Sequence, residues 1–168
     1  MSLTRRLIMS NVIVLTLLSG CGVNGHPVQI DSNQEVTPMS DQLLANVLSV
    51  KVTGSPQAYQ FLVEISSPDK GCNQYADWWE VLSQDGDLIY RRILLHSHVD
   101  EQPFARSGGP VPIATEAVVL VRAHMSPGGY GGSVLRGTVR DGFQPVEITP
   151  DFASDLEHQA PQPEDCAF

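Results

Sequence analysis

Apolar and polar residues alternate with a period of two through the middle of the chain. Tyr59, Phe61, Val63 and Ile65 are interleaved with Gln60, Leu62 and Glu64, the signature of a strand buried on one face. Leu48, Val50 and Val52 repeat the pattern just before it, and Gly54-Ser55-Pro56 supplies a turn between the two. Trp78 to Ser83 and Leu88 to Leu95 predict two further strands. They are joined by Gln84-Asp85-Gly86-Asp87, whose Asp-Gly pair suits a tight hairpin. Ala117 to Met125 and Val134 to Asp141 complete the set, connected by Ser126-Pro127-Gly128-Gly129-Tyr130-Gly131-Gly132. His96 to Pro112 reads as a long loop, and no segment of this region carries a 3.6-residue apolar stripe.

Six or seven short strands in about 100 residues without helices predict an all-β, antiparallel β-sandwich of immunoglobulin-like or fibronectin-like architecture. Its core should include Phe61, Val63, Ile65, Val119 and Val121. The 168 residues suffice for one such domain.

The N-terminus has a different character. Residues 1–20 hold no acid; Arg5 and Arg6 precede an apolar run from Leu7 to Leu18, and Ser19, Gly20 and Cys21 follow. A positive start, a short apolar core and small residues before a cut describe a secretory signal. The ending Leu18-Ser19-Gly20-Cys21 resembles the lipobox of bacterial lipoproteins. That resemblance implies cleavage before Cys21 and a diacylglycerol on its sulfur, hence a lipid-anchored protein of the cell envelope. Gly22 stands where the inner-membrane retention signal usually has Asp, which implies the outer membrane in a cell with two.

Charge divides what remains. The chain has 19 acidic and 10 basic residues, and residues 1–20 contribute two arginines and no acid. Residues 21–44 carry three acids and no base in a Gly, Asn, Gln, Ser and Pro background, and read as a flexible tether. Residues 147–168 carry six acids, no base and three prolines, and read as an acidic tail. The 45–146 section between them, the predicted β domain, is nearly neutral with 8 bases and 10 acids. Lys51 and Lys70 are the only lysines, too sparse a cationic footprint for nucleic acid.

The run Cys72, Tyr75-Ala76-Asp77-Trp78-Trp79-Glu80-Val81, with Tyr90-Arg91-Arg92-Ile93-Leu94, His96-Ser97-His98-Val99-Asp100-Glu101 and Arg122-Ala123-His124-Met125, is similar to an uncharacterised family of bacterial lipoprotein or secreted domains. The similarity implies no activity, so the residues stand on their own chemistry. With Cys21 lipidated, Cys72 and Cys166 are left to form a disulfide, to stay free, or, for Cys72, to bind a metal. His96 and His98 share one face if the strand from Leu88 continues, and with His124 they form a candidate Zn or Cu site. The alternative is that these imidazoles bond to backbone and carboxylates. Of Trp78 and Trp79 one should face the core; the other, with Tyr130, could touch a glycan or peptide or pack under a loop. Arg91, Arg92, Arg122, Arg136 and Arg140 should pair across strands with Glu64 and Glu80 on solvated faces. Ser97 lies in no nucleophile elbow and cannot readily use the adjacent His96 as a base, so catalysis is not expected. The chain thus reads as a lipid-anchored, non-enzymatic binding or structural module with an envelope protein or glycan as partner. A periplasmic Zn- or Cu-binding protein is the alternative.

Overall fold

The computed structural model describes residues 43–149 and 151–167; the expected signal peptide, Cys21 and nearly all of the expected tether lie outside them. The described chain is all-β. Its strands are β1 (Asn46–Thr53), β2 (Tyr59–Ser66), β3 (Tyr75–Ser83), β4 (Leu88–Ile93), β5 (Phe104–Val111), β6 (Val119–Ser126), β7 (Val134–Thr138) and β8 (Gly142–Val146). They form two antiparallel sheets, one of order β1-β2-β5 and one of order β4-β3-β6-β7-β8.

The core lies where the inward faces of the two sheets meet. Tyr59, Phe61, Val63 and Ile65 of β2 pack with Trp79 and Val81 of β3 and with Val119, Val121, Ala123 and Met125 of β6. The period-two reading therefore identifies the core residues of β2 and β6. A register shift between Ala76 and Trp78 makes room for Asp77, so Ala76 and Trp79 both join the core although three positions apart.

The count of eight strands corrects the expected six or seven, and two elements account for it. β5 lies inside the segment read as a long loop. Its Ser107-Gly108-Gly109-Pro110 sequence argues against a strand, but β5 is an edge strand, where a proline's missing N–H costs no ladder bond. Gly108 is needed there: a Cβ would sit 2.7 Å from the Trp79 ring and 2.8 Å from the Tyr90 hydroxyl. The other addition follows an early turn. β7 stops at Thr138 rather than Asp141, the chain reverses, and Gly142–Val146 returns as β8 at the sheet's other edge.

β3 and β6 are buried along nearly their whole length, on both faces. Their inward faces meet the other sheet. Their outward faces are covered by the C-terminal segment, whose 3-10 helix Ser154–His158 places Leu156 against Leu82, Leu120 and Val134. The stretch read as an acidic tail is bound along the sheet and joined to the domain by a Cys72–Cys166 disulfide, Cα–Cα 5.6 Å.

Candidate functional site

Strand alternation sends Trp78 and Glu80 of β3 and Arg122 and His124 of β6 to the outer face of the five-stranded sheet, with Arg91 of β4 alongside. Register places Glu80 opposite Arg91 on one side and Arg122 on the other. The Glu80 carboxylate accepts from Arg91 Nε at 2.8 Å through one oxygen and from Arg122 Nε at 2.7 Å through the other. None of these side chains is more than 2% exposed. Two guanidinium charges against one carboxylate leave this buried group net positive.

The remaining guanidinium N–H groups reach the C-terminal segment's main chain. Arg91 donates to the carbonyls of Leu156 (2.6 Å), Gln159 (2.5 Å) and Pro161 (3.0 Å). Arg122 donates to those of Phe152 (2.7 Å) and Ala153 (2.8 Å). Aromatic rings cap both cations, Trp78 with its centroid 4.4 Å from Arg91 and Tyr130 3.5 Å from Arg122. Burial, with the Glu80 carboxylate nearby, pushes the Tyr130 hydroxyl up to about 12, so it stays a neutral phenol. A cavity of about 250 Å³ lies beside Arg122 and Tyr130, walled also by Ser133, Glu147 and Thr149.

The paired arginines were expected on solvated faces. Arg91 and Arg122 do pair with Glu80, but under the C-terminal segment, while Glu64 accepts from the Ser49 hydroxyl instead. Trp79 is in the core. Trp78 faces outward yet is only 2% exposed, stacked on His124 at 3.8 Å between centroids and enclosed with Tyr130. Neither indole offers an open platform for a glycan.

The three histidines do not form the expected metal site. β4 ends at Ile93, so His96 and His98 lie in the following loop rather than on a strand face, their rings 4.6 Å apart. His98 is buried and stacks on Phe104 at 3.8 Å. His124 instead belongs to the outer-face cluster, its Nδ1 2.6 Å from Asp77. Among the described residues no three His, Cys, Asp or Glu side chains are placed to hold an ion. Cys72 is held in the disulfide.

Around His98 the organising group is the buried Asp69 carboxylate. It accepts from the Ser67 hydroxyl at 2.7 Å and from the backbone N–H groups of Ala76 (3.0 Å) and His98 (2.8 Å). Ser97 donates to Asp69 at 3.4 Å and accepts from the Gly71 N–H at 3.1 Å. These bonds tie the 67–76 segment to the loop after β4. Asp69 escaped the sequence reading because a single Asp beside Pro68 looks like any turn residue.

The chain is 37% identical over 121 residues to a protein of Halomicrobium mukohataei named "Putative lipoprotein", a match covering 71% of this chain and 54% of that protein. The chain thus spans about half the length of the curated relative it matches. No family model matches the chain, and no solved structure does.

Proposed function

We propose that the chain is a lipid-anchored envelope protein, attached through Cys21, whose β domain works by binding or by structural support and not by catalysis. The observation that carries the anchor is the run from Arg5-Arg6 through the apolar stretch to Leu18-Ser19-Gly20-Cys21. Similarity to a protein named as a lipoprotein supports it. Two or more acyl chains hold a protein on a bilayer where one does not. Gly22 after the lipidated cysteine favours the outer membrane in a two-membrane cell.

The strand order supports the finer fold assignment. Three strands in the order β1-β2-β5 face four in the order β4-β3-β6-β7, with the chain changing sheets after β2, β4 and β5. We read this as an immunoglobulin- or fibronectin-like sandwich with β8 added at one edge. Such modules recur on cell surfaces, where they bind or space other components. The non-catalytic reading is supported by where the buried carboxylates are spent: Glu80 on two arginines, Asp77 on His124, Asp69 on Ser67 and backbone amides.

Metabolic labelling with an alkyne fatty acid tests the anchor. The parent should take up label and partition with membranes, and Cys21→Ser should lose both. Equal membrane attachment of the two proteins, with no label on the parent, would overturn it.

A further inference from the structure

Residues 151–167 form a strap across the outer face of the five-stranded sheet, and its end reaches the loop that follows β4. There the Ala167 N–H donates to the Leu95 carbonyl at 2.5 Å. The next residues are fastened from the other side. Ser97 is held between Asp69 and the Gly71 N–H, and the His98 N–H bonds to Asp69. The His98 carbonyl accepts from the Gln102 side chain at 3.1 Å and from the Glu101 N–H at 3.2 Å. The backbone carrying His96 and His98 is therefore fixed before any ligand arrives.

Both ring nitrogens of His98 are buried and have no hydrogen-bond partner. Unbonded buried polar atoms are few in folded proteins. This ring borders an open cavity of about 380 Å³, walled also by His96, Asp100, Glu101, Cys72 and Ala167. One face of the ring lies on Phe104, and its Nδ1 is 3.8 Å from an Asp69 oxygen. A metal-ligating histidine usually turns its second nitrogen to a carboxylate in this way, which keeps the proton on Nδ1 and the lone pair on Nε2. His96 is exposed, and its ring centre is 4.6 Å from that of His98.

That spacing selects a coordination geometry. An ion about 2.0–2.1 Å from a ring nitrogen lies about 3.2 Å from that ring's centre. Two imidazoles at a right angle then have centres about 4.5 Å apart, and at a tetrahedral angle about 5.2 Å. The observed separation matches the right angle, the arrangement of square-planar Cu(II). Asp69, Asp100 and Glu101 outnumber Arg106 around the cavity, which favours a cation.

We propose that His96 and His98 form a two-imidazole Cu(II) site in this cavity, with water in the remaining positions. The site needs no third protein ligand, and among the described residues no group of three is placed to supply one. It excludes His124, which is bonded to Asp77 on the outer face of the other sheet's β6.

Electron paramagnetic resonance of the untagged full chain with one equivalent of copper(II) chloride tests the site. The parent should give one Cu(II) species with two imidazole nitrogens. His96→Ala removes an exposed ring, so the metal-free variant should melt as the parent does while its Cu(II) affinity falls at least tenfold. A His26→Ala/His158→Ala double variant should bind like the parent. Unfolding the parent in urea should also weaken binding at least tenfold, because the fold no longer holds the two rings together. The site would be overturned by equal affinity in the parent and His96→Ala, by a single-nitrogen spectrum, or by loss of binding in the His26/His158 variant. Equal affinity in the folded and unfolded chains would overturn it too, since any peptide with these histidines would then bind as well.

Discussion

Glu80→Gln is the most informative single change, because it alters one charge and almost no volume. In the parent, the carboxylate holds two guanidinium groups, and all three side chains are at most 2% exposed. Gln keeps one carbonyl oxygen and can satisfy one arginine. The other loses its partner, and two like charges then share a site closed by Trp78, Tyr130 and the strap. Removing one partner of a buried ion pair costs about 3–5 kcal/mol, because a charge is left dry and uncompensated. For a domain of this length each kcal/mol lowers the melting temperature by about 4 °C, so a drop of about 12–20 °C is expected. Glu64→Gln is the control: Glu64 is only partly buried and bonds to Ser49, so its loss should cost about 1 kcal/mol or less. Urea unfolding of the three proteins side by side gives the comparison. A Glu80→Gln variant within about 1 kcal/mol of the parent would refute a dry Glu80–Arg91–Arg122 group and with it the role of the strap as its cover.

His98 should make the domain acid-sensitive. Burial, with the charges of Arg106 and His96, holds its pKa below the ordinary 6.5, against the opposing pull of Asp69 and Glu101. Between the folded and unfolded values the unfolded chain binds more protons, so this contribution is complete above about pH 6.5 and is lost as pH falls through the window. Urea midpoints at several pH values should show that decline in the parent and a flatter profile in His98→Gln; identical profiles would contradict it. Gly108→Ala places a Cβ against Trp79 and Tyr90 and should cost about 1–3 kcal/mol by overpacking, read as a lowered urea midpoint. An unchanged midpoint would mean that β5 does not pack on those rings.

The sequence carries the central strands well because their inward positions repeat with period two and are strongly apolar, as in Phe61, Val63 and Ile65. It conceals β5 because Gly108, Gly109 and Pro110 answer to local demands, close approach to Trp79 and an edge position, and not to strand propensity. The strap was harder still. Its acids are solvent-facing and dominate its composition, while Leu156, its one fully buried side chain, and the Phe152 beside it are scattered. A signal was nonetheless present on the other side of the contact: Leu82 and Leu120 fall on the outward faces of β3 and β6, where a solvated sheet would carry polar residues. With Trp78 and His124 there too, those faces required a third layer. The histidines misled for a related reason. His-x-His spacing on a continuing strand would aim both rings one way, but β4 ends at Ile93 and the loop beyond it is shaped by Asp69, a group recognisable only from its partners.

The anchor is the claim on which the biological reading turns, and intact mass of the protein extracted from its native membranes tests it most directly. The account predicts a chain beginning at Cys21, heavier than its polypeptide by a diacylglycerol with or without a further acyl group, and with the Cys72–Cys166 bond in place. A chain retaining residues 1–20, or one beginning elsewhere with an unmodified Cys21, would contradict it.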